Sequence, residues 1–524
     1  MISHPLFSMQ FFRLRVWLVV LALVPQVLTA QKMRLEWAEE AQAKGEQKVE
    51  PIGQVDGRLY ALVTRDLEGA LEYSLLSYND RLKEPLQKAI YIARTTPTSY
   101  YVNEAPTIYF DLEAKKIYFI GNSVNPTTKS VRGLLNVFNF SGQRIVKDKE
   151  IANYSYGGGN ASLAISRVAL SYDSSLIALY QAVPAKRNDP EKFVVNVFSK
   201  DFKELIWSRT VELPLVSKET YLKEVVIDKD GNFFLFYAVR GSRPSLASSA
   251  FGVNDIIGVN AFIYVVAPGG IQYEYKLNEN DKQRLALGIG TDSTGSLLVS
   301  GFKDHTKFFT FRLNVESREP FELFETEIPD LYPSVSKKKY VLPYRLQECY
   351  FSSGDGNQLL LAEQFDEYIS YSHVPGVGTY SVQHYIHGTA AVIKIAGSQE
   401  VEWVRRLPKL QHTTDDGGIY SSFYGFLHQG NVVLVYNDDP DNLAVVEDTL
   451  DNDLEESPRM KRAAIMAATV APDGTLQKQL LQAYDPTLGV AIVPRLSQPI
   501  NDTTHLVVAR WGRAYRIGRL VVAD

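Results

Sequence analysis

The sequence has a single cysteine, Cys349, among 524 residues. One cysteine excludes an internal disulfide framework and a cysteine-based zinc ribbon. A chain of this length buries a large core without either kind of cross-link. Cys349 lies in a strand-like segment, where a free cysteine is more often a small buried hydrophobic residue than a nucleophile.

Long hydrophobic runs are also missing after the first thirty residues. Arg13 and Arg15 precede a nine-residue apolar run, Val16 to Val24, and small residues end at Ala30. This pattern predicts a secretory signal peptide over residues 1–30, because the run is too short to span a bilayer as an anchor. No cysteine follows that would carry a lipid. We therefore expect an exported protein, periplasmic or extracellular at the cell surface, with no transmembrane segment in its mature chain.

An excess of basic charge is the third absence. The chain carries 55 basic and 60 acidic side chains, a net charge of −5, and loss of Arg13 and Arg15 with the signal peptide makes this −7. A mildly acidic chain without a basic stripe is a poor ligand for nucleic acid. With 45% hydrophobic residues and mixed charges, the sequence is also not that of a disordered, collagenous or coiled-coil protein.

A repeated pair of hairpins fills the remaining chain. Val225 to Phe236 is an apolar run, an Asp-Gly turn and a second apolar run, and Leu287 to Val299 has the same design. Glycine, aspartate and asparagine accept the positive φ of tight turns between paired strands. Second hairpins follow at Phe193 to Arg209 and Ala390 to Arg405, and they share the sequence Glu-[Leu/Val]-x-Trp-x-Arg.

The repeat unit is thus four short strands, with starts near residues 55, 106, 165, 222, 285, 346, 420 and 488. Spacings of this size are typical of propeller blades. The sequence predicts an all-β fold, a β-propeller of seven or eight four-stranded blades in a single domain over residues 31–524. Lys32 to Trp37 is expected to supply a strand that closes the ring. Tandem β-sandwiches are the alternative.

An acidic insertion interrupts the seventh unit at about 438–459. Asp451, Asp453 and Glu455 are oxygen donors at alternate positions, so calcium is a possible cation there. The segment lacks the glycine and the distal glutamate of an EF-hand, and a block of like charges is usually a solvated loop. We expect no other cofactor.

The histidines give a weaker metal signal. His384 and His387 are three positions apart, which puts them on opposite faces if the segment is a strand. No glutamate follows them as in a metalloprotease helix. A zinc site is therefore the lesser alternative to surface or hydrogen-bonded histidine.

Polar residues around the start of the seventh unit are the candidates for a ligand site. Propeller loops lie at the rims of the central channel, where ligands dock. The expected rim cluster consists of Gln411, Asp415, Asp416, Tyr420, Asn437 and Asp438. The alternative is that Asp-Asp-Gly-Gly and Asn-Asp-Asp-Pro act only as turn formers.

Two segments resemble known families. Asp228 to Phe236 resembles the turn-plus-strand signature of NHL-like bacterial propeller repeats. Glu400 to Asn442, with Leu407-Pro408-Lys409-x-Gln411 and Asp415-Asp416-Gly417-Gly418, resembles a segment of uncharacterised secreted proteins of the Bacteroidota. The resemblance implies an exported envelope protein and transfers no catalytic residues.

Two functions remain open. The first is a non-enzymatic exported propeller, a binding or scaffold protein for a protein or glycan of the bacterial cell envelope. The second is a propeller hydrolase acting on glycans or peptides. No Gly-x-Ser-x-Gly elbow or phosphate-binding loop is present, so catalytic residues stay unknown. Three or more carboxylates with an arginine in one pocket would favour the enzyme.

Overall fold

A computed structural model describes most of the chain after residue 31. The described residues are 32–39, 47–94, 102–103, 105–158, 166–184, 186, 188–216, 220–240, 255–256, 259–277, 285–291, 296–303, 307–316, 318–331, 342–351, 357–374, 378–398, 400–445, 463–484, 491–511 and 514–523. The predicted signal peptide and the calcium candidates Asp451, Asp453 and Glu455 lie outside these ranges.

The first four sheets follow one another along the chain. The first strand, β1 (Met33–Trp37), belongs to the last sheet. The first sheet contains β2 (Gln47–Val55), β3 (Arg58–Leu67), β4 (Ala70–Tyr78) and β5 (Leu86–Arg94). The second contains β6 (Val102–Asn103), β7 (Thr107–Asp111), β8 (Lys116–Asn125), β9 (Ser130–Asn139) and β10 (Arg144–Ser155). The third contains β11 (Ser166–Leu170), β12 (Leu176–Val183), β13 (Pro190–Ser199) and β14 (Leu205–Val216). The fourth contains β15 (Thr220–Ile227), β16 (Phe233–Arg240), β18 (Val259–Val266) and β19 (Gln272–Lys276).

The last four sheets repeat the arrangement. The fifth contains β17 (Asp255–Ile256), β20 (Leu285–Thr291), β21 (Leu297–Lys303), β22 (Lys307–Leu313) and β23 (Pro320–Glu327). The sixth contains β24 (Tyr344–Phe351), β25 (Gln358–Val374), β26 (Gly378–Ile395), β27 (Val401–Leu407) and β28 (Gln411–Thr414). The seventh contains β29 (Phe423–His428), β30 (Asn431–Asp438), β31 (Ala464–Val470) and β32 (Leu476–Gln482). The eighth contains β33 (Ala491–Ile492), β34 (Gln498–Asn501), β35 (Thr504–Trp511), β36 (Ala514–Val522) and β1. Short 3-10 helices lie at Pro329–Leu331, Pro440–Ala444 and Pro494–Leu496.

The hairpin turns form as their residue types predict. Between β15 and β16, Asp228 Oδ1 accepts hydrogen bonds from the backbone N–H of Asp230 at 3.0 Å and of Asn232 at 2.8 Å. Gly231 has φ +82°, which a side chain would strain. The aspartate and the glycine of this repeat therefore fix the turn.

Hydrophobic clusters between neighbouring sheets close a ring. Each sheet shares a core with the next one, from the first and second sheets to the seventh and eighth. Leu506 and Ile517 of the eighth sheet then pack with Ala61 and Leu76 of the first. β1 pairs with β36, from Met33 opposite Val522 to Trp37 opposite Gly518, as expected for Lys32 to Trp37. The chain is a β-propeller of eight blades, which confirms the predicted fold class over tandem sandwiches.

The acidic insertion is described only at its start. Asp438 ends β30, and Asp439 caps the 3-10 helix Pro440–Ala444 by accepting a hydrogen bond from the backbone N–H of Asp441. Residues 446–462 lie outside the described ranges. In the part of the chain that the structure covers, no helix is long and apolar enough to cross a membrane.

Candidate functional site

A cavity of about 340 Å³ lies where the sixth, seventh and eighth sheets meet. Its walls come from the start of β24, the middle of β25 and β26, the segment that leads into β29, and the 3-10 helix Pro494–Leu496. β24 and β29 are the first full strands of their sheets. The cavity therefore lies on the face of the propeller at which these two strands begin.

A buried ion pair stands behind the cavity. Lys409 Nζ lies 2.5 Å from Glu363 Oε1, and both side chains are fully buried. The same carboxylate accepts hydrogen bonds from Ser422 Oγ at 2.7 Å and from His387 Nδ1 at 2.9 Å. Lys409 also donates to Gln411 Oε1 at 2.9 Å. Every charge in this network is thus neutralised and hydrogen-bonded, which is the condition for keeping charges out of water.

Protonation states follow from this packing. Burial alone would raise the pKa of Glu363, but the Lys409 ammonium and the hydrogen bonds outweigh it and lower that pKa to about 2. Burial lowers the pKa of His387 despite the nearby carboxylate, so the ring is neutral at pH 7. A neutral ring beside a carboxylate donates its Nδ1–H, which leaves a lone pair on Nε2. A Cβ placed on Gly418 would lie 3.4 Å from this Nε2, so Gly418 lies next to the ring.

Two arginines supply positive charge to the cavity wall. The Arg345 guanidinium carbon lies 3.6 Å from the centre of the Phe365 ring, within the range of a cation–π interaction. Arg495 Nη2 donates to the carbonyl oxygens of Gly417 at 3.1 Å and Gly418 at 3.2 Å. The wall also holds one carboxylate, Glu348, whose pKa is raised by burial and whose side chain accepts a hydrogen bond from the Tyr350 hydroxyl. The wall thus contains two guanidinium groups and one carboxylate, while the carboxylates of Asp416 and Glu367 lie near Arg495 and Arg345, respectively.

One residue of the wall has a buried hydroxyl without a partner among the described residues. Ser421 lines the cavity and is 2% exposed, yet its Oγ has no hydrogen-bond partner among the described residues. Buried hydroxyl groups almost always have a partner. The Ser421 Oγ is thus a buried polar atom that the described residues leave without a partner.

The predicted rim residues lie behind and beside this cavity rather than in its wall. Gln411 is buried, donates from Nε2 to the carbonyl oxygen of Asn437 at 2.6 Å and accepts from the Ser422 backbone N–H at 2.8 Å. Asn437 Nδ2 donates to the carbonyl oxygens of Tyr420 at 2.7 Å and Ile492 at 2.8 Å. These bonds tie the sixth, seventh and eighth sheets together.

The three acidic members of that cluster have separate surroundings. Asp415 accepts from the backbone N–H of Gln383 at 2.9 Å, and Asp416 accepts from that of Gly418 at 2.8 Å. Asp438 is buried next to Asn442, and burial raises its pKa to about 6. Turn and strand bonds thus hold Asp415 and Asp416, whereas Asp438 accepts hydrogen bonds only at Oδ1 and its buried Oδ2 has no partner among the described residues. Direct ligand binding by the six rim residues stays a prediction.

Sequence reasoning missed Glu363, Arg345 and Arg495. The available signal was Glu363 itself, a lone acidic residue directly after the apolar run Leu359 to Ala362. A charge at the end of a buried strand requires a partner, but Lys409 is 46 positions away. Only the fold brings the two together.

The metal candidates separate as strand geometry predicts. His387 faces Glu363, while His384 contacts Ser370 at 2.7 Å and His412 at 2.9 Å on the opposite face of β26. Among the described residues, no group of three or more His, Cys, Asp or Glu is arranged to hold a metal ion. Burial raises the pKa of Cys349 on β24 to about 12, so its thiol is protonated at neutral pH.

No family model and no curated protein matches the chain. Solved propellers are similar at low identity. The WD40 domain of SCAP from fission yeast has 7% identity and a TM-score of 0.34, covering 94% of this chain and 98% of that one. The β-propeller domain of the Trilobed protease from Pyrococcus furiosus has 12% identity and a TM-score of 0.33, and the match covers 85% of this chain and 98% of that domain. The Nup133 β-propeller domain of Vanderwaltozyma polyspora has 10% identity and a TM-score of 0.37, and the match covers 82% of this chain and 99% of that domain. The fold assignment therefore rests on the sheets and clusters above, and the NHL-like and Bacteroidota resemblances stay predictions.

Proposed function

We propose that this protein is an exported β-propeller that binds a partner in the bacterial cell envelope by an anionic group held in the cavity. The observation that carries the proposal is the pair of guanidinium groups, Arg345 and Arg495, in a wall that contains one carboxylate with a raised pKa. A carboxylate ligand matches the planar, forked donors of arginine.

The network behind the wall supports the same function. Taking the charges of Glu363 and Lys409 out of water costs several kcal/mol per ion before their attraction is counted. The pair holds His387 by Nδ1 and the Ser422 backbone segment through Gln411, so it fixes the position of two residues that line the cavity. A rigid wall loses less freedom when a ligand binds. The predicted signal peptide supports export, and the resemblance to secreted Bacteroidota proteins supports the envelope location.

The test compares small probes that differ only in charge. Binding of N-acetylalanine and of its amide, and of glucuronate and glucose, is measured by calorimetry on the protein lacking residues 1–30. We expect at least one acid to bind at least tenfold more tightly than its neutral counterpart. Arg495→Gln and Arg345→Gln should each weaken that binding at least tenfold, whereas Arg34→Gln, at an exposed position on β1, should not. Equal affinity for acids and neutral probes contradicts the proposal.

Hydrolysis is the second candidate, and the His387–Glu363 pair favours it. A neutral imidazole oriented by a carboxylate, with Nε2 unprotonated, has the arrangement of a general base. One carboxylate in the wall, rather than three, makes binding the better-supported function. His387→Gln distinguishes them: for a hydrolase, cleavage of a bound peptide or oligosaccharide falls at least 100-fold while probe binding stays within threefold.

A further inference from the structure

The hairpin of β25 and β26 extends well beyond the sixth sheet. Pairing between the two strands continues to Val374 opposite Gly378, whereas β24 pairs with β25 only as far as Tyr344 opposite Gln364. On the other side, β28 covers β26 at His384 to His387. The outer part of the hairpin, here called the arm, consists of residues 366–374 and 378–383. Within the described chain no third strand pairs with the arm along β25.

Among the residues that the structure describes, the arm has an open strand edge. The backbone N–H of Phe365 donates to the carbonyl oxygen of Pro343 at 3.0 Å, so it points towards the β24 side. Backbone groups of alternate residues point the same way in a strand. The N–H and C=O groups of Glu367, Ile369, Tyr371 and His373 therefore face away from β26, along an edge of roughly 20 Å.

The edge lacks the usual protection against pairing. Natural edge strands carry lysine, proline or bulges that block an added strand. Apart from Asp366 and Glu367 at its base, the arm contains no charged residue and no proline, and its strands pair without a register shift. Ile369 is 43% exposed and Tyr371 is 72% exposed. A two-stranded hairpin is also only marginally stable in water. These features together favour a partner strand.

The edge leads directly into the cavity. Phe365 on β25 and His387 opposite it on β26 line the cavity wall. Glu367, Ile369 and Tyr371 continue the same face of β25, because alternate side chains share a face. A strand added antiparallel to β25 runs in the direction of β24, and its carboxyl end therefore meets the start of β24, where Arg345 lies.

We propose that the ligand is an extended peptide that adds to the edge of β25 from Glu367 to His373 and places its C-terminal carboxylate at the arginine-lined cavity. This inference rests on the proposed function and names its partner class. Strand addition supplies affinity through main-chain hydrogen bonds, and the terminal carboxylate matches the charge of Arg345 and Arg495. An acidic glycan is the competing occupant.

The probe is a pool of eight-residue peptides randomised at all positions, prepared with free carboxylates and separately with C-terminal amides. The immobilised protein lacking residues 1–30 retains peptides, which are identified by mass spectrometry and remade for affinity measurement. We expect the amide form of a retained peptide to bind at least tenfold more weakly. Alternate residues of the peptide direct their N–H groups to the same side, so the peptide has two sets of N–H groups and only one set pairs with β25. N-methylation of that set should weaken peptide binding by a similar factor, because it removes the N–H groups that pair.

Ile369→Pro is the matched change in the protein. Its N–H faces the open edge, so proline removes no bond to β26, and the preceding residue already has the extended conformation that proline favours. We expect Ile369→Pro to lose at least tenfold in peptide affinity and Ile369→Thr to stay within threefold, with both keeping the affinity for the small acidic probe. Peptides insensitive to amidation and N-methylation overturn the inference. Retention of tetraglucuronate without any peptide also overturns the inference, but it leaves the proposed function standing. If no acidic probe binds, both the inference and the proposed function are overturned.

Discussion

At the scale of single residues, the Glu363–Lys409 pair makes the sharpest prediction about stability. Lys409→Met leaves the Glu363 carboxylate buried without its cation, and removing one partner of a buried pair costs about 3–5 kcal/mol. Glu363→Gln together with Lys409→Met removes both charges, so we expect it to recover most of that loss. Urea unfolding at pH 7 measures both. A loss below about 1 kcal/mol in the single variant would show that the pair is not held as described.

His505 predicts how stability depends on pH. Burial, with a smaller effect of His428, lowers the pKa of His505 to about 4, and its Nδ1 lies 2.9 Å from the Tyr424 hydroxyl. The unfolded chain, with a pKa of about 6.5, then binds the proton first as the pH falls. Stability is therefore lost between pH 6.5 and 4, by about 3 kcal/mol from this group.

His505→Phe removes that titration. We expect the difference in unfolding free energy between pH 7 and pH 4 to be about 3 kcal/mol smaller in the variant than in the unmodified protein. Loss of the Tyr424 bond shifts both values equally. His373→Phe, at an exposed position, is the control and should leave the difference unchanged. An unaltered pH dependence in His505→Phe contradicts the assignment.

The candidate site shows what a sequence reveals at this scale. Gln411 and Asn437 were identified by their proximity to the start of the seventh unit, and they do connect the sheets around the cavity. The sequence does not point to Glu363, Arg345 and Arg495, because their proximity to one another depends on strand register and on the packing of three sheets. A local pattern predicts turns and strand faces, but it does not pair a glutamate with a lysine 46 residues away.

At the scale of elements, the repeated Glu-[Leu/Val]-x-Trp-x-Arg sequence connects neighbouring blades. The hydrogen bonds of its tryptophan and arginine to the next blade are here called the clamp. Trp207 on β14 donates from Nε1 to the carbonyl oxygen of Gly231, at 3.1 Å, in the next sheet. Trp403 on β27 donates to that of Pro472, at 3.2 Å, again in the next sheet. The arginines two positions later also bond turn carbonyls of the next sheet. The internal match marks two equivalent hairpins, and the structure identifies the role that their tryptophans and arginines share.

Trp207→Phe and Trp403→Phe test the clamp. Each change keeps an aromatic ring and removes one hydrogen bond, so we expect each to cost about 1 kcal/mol. The two sites lie in different pairs of sheets, so the double variant should cost the sum within about 0.5 kcal/mol. Urea unfolding gives all three values. A double variant well below the sum would mean that the two clamps are coupled.

The arm marks where element prediction stops. The hairpins that join β24 to β25 and β26 to β27 are predicted by their apolar runs and turn residues. The arm is rich in serine and tyrosine and has only three aliphatic residues, Ile369, Val374 and Val382, so it lacks the apolar face that marks a packed strand. Its strands form because the hairpin continues from the sheet, so its length depends on pairing rather than on local composition.

At the scale of the whole molecule, the spacing of the repeats predicted the ring, and the length of the chain alone did not. Eight unit starts near 55 to 488 correspond to eight sheets, and each sheet buries its faces against two neighbours. No disulfide is possible with one cysteine. Closure therefore depends on β1 pairing with β36, since this contact joins the two ends of the described chain.

Gly518 is the position that tests this closure. A Cβ placed there would lie 2.6 Å from Trp37 Cε3 and 2.8 Å from the carbonyl oxygen of Glu36, too close for any neighbouring atom. Gly518→Val should push β1 away from β36 and weaken the Trp37 bond to Gln482, at 2.6 Å, so we expect a loss of about 2 kcal/mol or more. Gly290→Ala on β20 is the control, because a Cβ there meets nothing within 4 Å. Calorimetry should show a lower unfolding temperature only for the first variant. Gly518→Val with unchanged stability would mean that the ring holds without its terminal strand.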